Sequence, residues 1–242
     1  MVLAAGFGRR LRPLTDASPK ALLEVGGSPL LAILLGKLAL SGAAGVVVNV
    51  HHFAGRVEEF LRGGTWPEGW IRISRETEIL GTGGGLRNAA PLLGEGDPVI
   101  VHNVDVLSNL PLRRLLDARR DAGASAVLAV QSRKTDRALA VDGGGFLCGR
   151  WGMKPARAPR GDLRPVAFNG ISAIGPGTAG RLAGEGPFNL VDAYLRLAAA
   201  GETVRVFPMD PWYWADVGTP GRLTLVERDL GSGRISLDSL SG

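Results

Sequence analysis

Apolar residues in this 242-residue chain gather into short unbroken runs, separated by stretches where they recur at helical spacing. VVVNV at 46–50 is β-branched and does not alternate, which predicts a strand buried on both faces. Val2–Ala5, IRIS at 71–74, PVIVHNVDV at 98–106 and ASAVLAVQ at 124–131 predict further strands. Helices are predicted between them. LLAILLGKLAL from 30 opens on a Ser28 N-cap with Pro29 in the first turn, and stops near Gly42. AGRVEEFLRGG from 54 ends on glycine, GGGLRNAAPLL from 83 opens on it, and PLRRLLDARRDAG from 111 is amphipathic. Strand and helix alternate to about residue 131, the pattern of a parallel sheet with helices on both faces.

Beyond 132 the pattern changes. RALAVDGGGFLCGR at 137–150 predicts a hairpin around Gly143–Gly145, and 151–165 is a loop rich in proline and arginine. VAFNGISAIG at 166–175 predicts a strand and FNLVDAYLRLAAAG at 188–201 a helix. VRVFPM and WYWADVG predict two more strands, and PGRLTLVERDL from Pro220 a last helix. The expected class is therefore α/β, a Rossmann-like, mostly parallel sheet followed by a smaller mixed α+β part. One domain is expected over 1–230, in halves 1–131 and 132–230, with a polar, glycine-rich tail at 231–242.

Composition narrows the chemistry. With 45% hydrophobic residues the chain has a sizeable core. The net charge is +5, but aromatics make up only 6% and do not interleave with the arginines, which favours small phosphorylated substrates over nucleic acid. The lone Cys148 leaves no internal disulfide and reads as a small buried apolar residue. No apolar run approaches the ~20 residues of a membrane span, and no basic leader precedes the first strand. A soluble cytoplasmic protein with no membrane partner is expected.

In an open α/β sheet, ligands gather at the carboxyl ends of the strands. Three features fall there: the glycine turn of Gly6 and Gly8 with its cluster Arg9, Arg10 and Arg12; the GTGGG turn at 81–85; and Asp105, closing an apolar strand. Asp216, in WYWADVG, is set in the same way. A carboxylate ending an apolar strand is costly unless it meets a cation or water. Alone, each Asp reads as a turn residue or a cap. Two of them over a cationic glycine loop would hold magnesium, which takes few carboxylates and shares phosphate oxygens. The loop is not a Walker loop, lacking Lys-Ser/Thr after its last glycine, nor a dinucleotide fingerprint, because Leu11 replaces the third glycine.

GFGRRLRPLTDASPKALLEVGG resembles the signature of the sugar-1-phosphate nucleotidyltransferases, and VVVNVHHFA, GTGGGLRNAAPLL, the strand ending in Asp105, FNGISAI and WADVGTP match successive family motifs. The resemblance covers residues 1 to about 225 and is closest to the short members, the N-acetylmuramate-1-phosphate uridylyltransferases and the mannose-1-phosphate guanylyltransferase-like group. It implies Mg2+-assisted attack by a sugar 1-phosphate on an NTP (UTP, GTP or CTP). Arg10 would hold the β- and γ-phosphates and Lys20 the α-phosphate, with Asp105 completing the catalytic set. Ala4, Ala5, Gly6, Gly8, Gly83, Gly84 and Asn103 would line the nucleotide. Asn169, Gly170 and Asp192 would line the sugar, and Asp105 and Asp216 would hold the metal.

Several positions stay open. Family members often carry Asn-Gly-Asp where this chain has Asn103-Val104-Asp105, so Val104 is expected to crowd the nucleotide or alter its loop. Arg9 adds charge where a small or polar residue is frequent, and relatives usually have a few residues ahead of the first strand. Asp192 reads as a sugar contact or as an acid favouring a helix N-terminus. Glu76 reads as a base or sugar contact or as a solvated acid, and His51 and His52 as loop residues or ligand contacts. His102 reads as a core histidine, and Arg133, Lys134 and Arg137 as a solvated run or a phosphate grip. A non-sugar acceptor such as phosphocholine, or a non-catalytic nucleotide-sugar-binding regulatory protein, are the alternative functions.

Overall fold

A computed structural model describes residues 1–94 and 96–241. In chain order the strands are β1 (Val2–Leu3), β2 (Glu24–Val25), β3 (Ser28–Pro29), β4 (Val46–Val50), β5 (Ile71–Arg75), β6 (Val99–Asn103), β7 (Val106–Ser108), β8 (Ala126–Gln131), β9 (Leu139–Val141), β10 (Leu147–Arg150), β11 (Arg164–Ile174), β12 (Val204–Pro208) and β13 (Trp214–Asp216). The helices are α1 (Leu30–Leu40), α2 (Ala54–Gly63), α3 (Gly81–Ala89), α4 (Leu112–Asp121), α5 (Leu190–Ala199), α6 (Pro220–Gly231) and α7 (Leu237–Ser241). Among the described residues no helix is long and apolar enough to cross a membrane.

The chain divides into two compact units, and not at the single cut near 131 that the change of pattern suggests. The first unit gathers Met1–Ile79, Asn103–Pro111 and the chain from Trp212 onward; the second gathers Leu80–His102 and Leu112–Pro211.

In the first unit β4 lies between β1 and β5, parallel to both. All five of its residues are buried, as its unalternating pattern requires. α2 buries only Val57 and Leu61, the stripe of a helix with one face on the core. β7 and β13 form an antiparallel pair that joins distant parts of the sequence. Ser28 and Pro29 differ from expectation. They form β3, paired with β2 across Gly26 and Gly27, both at positive φ, and Ser28 caps nothing. A residue before proline is pushed to extended backbone, and two central glycines suit a tight hairpin, so the hairpin wins over the cap. The strand expected over 98–106 is broken after Asn103, where Val104 and Asp105 turn into β7.

The polar tail expected at 231–242 contains α7, packed against α1 with Leu240 buried. Ser236 and Ser239 exchange bonds between each backbone N–H and the other's hydroxyl, a reciprocal cap that starts the helix. Gly242 lies outside the described residues.

In the second unit β11 runs antiparallel to β6, β8 and β9; β12 is parallel to β8, and β9 and β10 form the expected hairpin. Asp142 organises that hairpin by accepting backbone N–H groups of Gly144, Phe146 and Arg160 at 3.0 Å each. Burial alone would raise the Asp142 carboxyl; these three donors outweigh it and hold it below the ordinary range. Cys148 and His102 are buried, as expected.

Candidate active site

The glycine loop starts where β1 stops. Leu3 pairs with Asn49 in the parallel ladder, and the next amide, Ala4 N–H, is taken by the Asn49 side chain at 2.6 Å. Asn49 in turn donates to the Glu76 carboxylate at 2.5 Å, and both side chains are buried. This polar relay ends the pairing and turns the chain outward. A polar residue in an otherwise apolar strand must find such partners.

Ala4 and Ala5 are buried, and Gly6 is exposed with open space beside it. Gly8 has φ 65, and a Cβ there would stand 2.9 Å from Thr15 Cγ2 and 3.2 Å from Lys20 Cβ. Only glycine fits that turn. Leu11 N–H and the Thr15 hydroxyl both donate to Gly8 O, at 2.8 and 3.0 Å, so the loop is held closed on itself. Phe7 packs edge-on against His51 at 5.7 Å and near His52 at 5.2 Å, with the Arg9 guanidinium 4.8 Å over its ring. The two histidines thus brace the loop.

Lys20 opens the short turn Lys20–Leu22 and forms an ion pair with Asp105. The side chains are 12% and 21% exposed, so the pair is sheltered yet reachable. Asp105 is fixed from both sides, by Val104 N–H to Leu3 O at 3.1 Å and Val217 N–H to Asp105 O at 2.7 Å. Val104 buries its side chain as part of the core.

Asp216 ends β13 opposite Val106, one residue from Asp105. Its Oδ1 accepts the Gly218 N–H at 3.1 Å, and its Oδ2 pairs with Arg222. A Cβ on Gly218 would lie 2.7 Å from Asp216 Oδ1 and 3.0 Å from the Arg10 guanidinium, so Arg10 and Asp216 close on the same bare backbone. The first unit therefore brings Arg10, Lys20, Asp105 and Asp216 together from three separated segments, with Asn103 two residues before Asp105. The donors suit a hard cation: two partly exposed carboxylates, one at the end of β13 and one in the turn just before its partner strand β7, each balanced by a positive charge. Among the described residues no group of three or more acidic, histidine or cysteine side chains is placed to hold a metal.

In the second unit Gly83 and Gly84 open α3, and both N–H groups donate to Phe188 O, at 2.9 and 3.3 Å. A Cβ on Gly83 would meet the Phe188 ring at 2.5 Å, so the triplet answers a packing demand that the sequence did not reveal. Asn169 is buried and Gly170 has φ 77 at an irregularity of β11 against β8. Arg133 is not simply solvated: it donates to Asn169 Oδ1 at 3.2 Å and to Phe168 O at 3.3 Å. Asp192 sits in the first turn of α5 with Arg150 at 2.5 Å and Asn189 at 3.4 Å. The Arg150 hydrogen bond, stronger than the opposing burial, holds its carboxyl below the ordinary range.

The sequence profile of the nucleotidyl transferase family matches residues 1–139. The chain belongs to this family. It is 36% identical over 235 residues to the N-acetylmuramate alpha-1-phosphate uridylyltransferase of Caulobacter vibrioides, covering 91% of each chain. It is 38% identical over 128 residues to the mannose-1-phosphate guanylyltransferase of Mycobacterium tuberculosis, covering 53% of this chain and 35% of that protein. The crystal structure of HddC from Yersinia pseudotuberculosis shares the fold, with a TM-score of 0.72 at 18% identity over 95% of this chain and 97% of that one. The family's α/β nucleotide-diphospho-sugar transferase fold is thus the fold of this chain.

Two parts of the site, Asn49 and Arg222, lie outside the sequence-predicted residues, and the sequence left a third, Glu76, open between a ligand contact and a solvated acid. Asn49 was legible as the one polar residue in VVVNV. Glu76 is buried in the relay and is not a solvated acid. Arg222 follows a proline-glycine pair in a helix and carries no signal along the chain.

Proposed function

We propose that this chain transfers a nucleotidyl group from a nucleoside triphosphate to a sugar 1-phosphate, forming a nucleotide-sugar and pyrophosphate. The assembly of Arg10, Lys20, Asp105 and Asp216 from three separated segments of the first unit carries the reading. A sugar-phosphate oxygen attacks the α-phosphorus; the bond from that phosphorus to the bridging oxygen breaks, and pyrophosphate leaves. The attacking phosphate is already anionic near neutral pH, so positioning and charge neutralisation supply most of the acceleration.

Lys20 steadies the α-phosphate, and Arg10 grips the leaving phosphates with its planar fork. The backbone at exposed Gly6 and half-buried Gly8 receives phosphate and base. Ala4 contributes by position, since its N–H already serves Asn49. Gly83 and Gly84 offer the base backbone other than the N–H groups spent on Phe188. Asn103 completes the nucleotide set, and Asn169, Gly170 and the Arg150-bound Asp192 serve the sugar. Asp105 and Asp216 are the residues that would hold Mg2+, which supplies charge neutralisation at the phosphates when bound.

The relative similar along nearly its whole length makes UTP with N-acetylmuramate 1-phosphate the first pair to try. We place the reaction in the cytoplasm, where a lone buried cysteine stays reduced. The test is a matrix of five triphosphates against a panel of sugar 1-phosphates and phosphocholine, read by pyrophosphate release. One sugar-phosphate pair well above the rest is expected. Turnover with phosphocholine alone, or nucleotide binding without turnover for every acceptor, would overturn the reading.

A further inference from the structure

Arg222, in the first unit, has no part in the roles above, yet it touches one of the proposed metal ligands. Arg222 stands in the first turn of α6, and its guanidinium pairs with Asp216 Oδ2 while Gly218 N–H holds Oδ1. A cation is misplaced at a helix N-terminus, where the backbone dipole presents positive charge. The helix already has its cap in the Thr219 side chain, which accepts the Arg222 N–H. The arginine is therefore explained by the carboxylate beside it and not by the helix. Its side chain is 48% exposed against 21% for Asp216, so it can swing away without disturbing the core.

We propose that Arg222 is an exchangeable counter-ion: it neutralises Asp216 while no metal is bound, yields that carboxylate to the divalent ion, and then holds phosphate oxygens. The proposal rests on Asp216 being a metal ligand. A doubly charged ion in contact with the carboxylate displaces a singly charged, part-exposed partner held by a weak surface pair. Arg10 flanks Gly218, whose N–H holds the other oxygen of the same carboxylate, so phosphate oxygens gripped by Arg10 arrive beside the pair. A planar cation suits phosphate oxygens well. An uncompensated Asp216 next to Asp105 would repel an incoming triphosphate; the pairing removes that obstacle.

Mn2+ binding without nucleotide, followed by loss of the free-ion paramagnetic signal, separates the possibilities. Arg222→Gln is expected to bind Mn2+ about three- to fivefold tighter than the parent, the size of a part-exposed ion pair released. Its affinity for inorganic pyrophosphate with Mn2+ is expected to fall about tenfold, as for a lost charged hydrogen bond. Arg222→Lys, which keeps the charge, is expected within about twofold of the parent for Mn2+ and guards against a folding defect in the glutamine variant. Asp216→Asn is the control for the metal reading and is expected to lose Mn2+ binding. Loss in Asp216→Asn with no tightening in Arg222→Gln overturns the counter-ion role while the metal site stands. Tighter Mn2+ with unchanged pyrophosphate affinity overturns the transfer to phosphate. Undiminished Mn2+ binding in Asp216→Asn overturns the metal reading instead, and the exchange with it.

Discussion

Asp105, in the turn between β6 and β7, and Asp216, at the end of β13, pair with Lys20 and Arg222, and this pairing makes two charges tolerable beside an apolar core. Replacing either aspartate by asparagine keeps the shape and removes the charge. Turnover is expected to fall at least about 10²- to 10³-fold, as when a preorganised charge is removed from a reacting phosphate site. The melting temperature is expected to stay within about 5 °C of the parent, because each pair is partly exposed. Pyrophosphate release and a thermal melt decide this together, and full activity in either variant would remove that residue from the mechanism. Lys37 is a different case, buried in α1, and burial pushes its ammonium down to about 8. Its folded value lies below the unfolded one of about 10.4. The unfolded chain therefore holds an extra proton between about 8 and 10.4, and stability rises with pH across that window. Below it the burial cost is fully present, roughly 3 kcal/mol for a gap of this size. Lys37→Met is expected to be more stable at pH 7 by about 1–3 kcal/mol and to lose the rise in stability above pH 8. Denaturant melts at pH 7 and pH 10 measure both.

The elements that carry the site owe their form to neighbours the motifs do not name. The glycine triplet of α3 reads along the sequence as a nucleotide contact, yet each of its first residues faces Phe188 or Leu80 at close range. Gly83→Ala is expected to cost about 1–3 kcal/mol by overpacking against the Phe188 ring and Asn189 O. Combining it with Phe188→Ala is expected to cost less than the sum of the two, because the clash disappears with the ring. Additive losses in that cycle would mean the glycine is kept for something other than packing. The β2–β3 hairpin shows a different lesson. A proline with a preceding serine suits a helix start or an extended pair equally, and the two glycines just before them decided in favour of the pair.

Across the molecule, the division into units runs against chain order, because residues after Trp212 return to the unit that holds the first strand. The C-terminal stretch shows how much such a return matters. Glycine and serine mark it as a tail, but Ile235 and Leu240 are buried and α7 rests on α1. Leu240→Ala is expected to destabilise the protein by about 2–4 kcal/mol, the usual range for a buried leucine, and a cost near zero in a denaturant melt would restore the tail reading. Local pattern was enough for the class of fold, for most strands and helices, and for Arg10, Lys20, Asp105 and Asp216 as residues of interest. Period, turn chemistry and a charge ending an apolar run are properties of neighbours in sequence, and motif order is carried there too. Folding alone set Asn49 onto Glu76 and Phe188 onto the glycine triplet, since those partners lie far along the chain and closeness in space leaves no mark on spacing. Arg222 is only six residues from Asp216, but the turn into α6 that joins them carries no periodic signal.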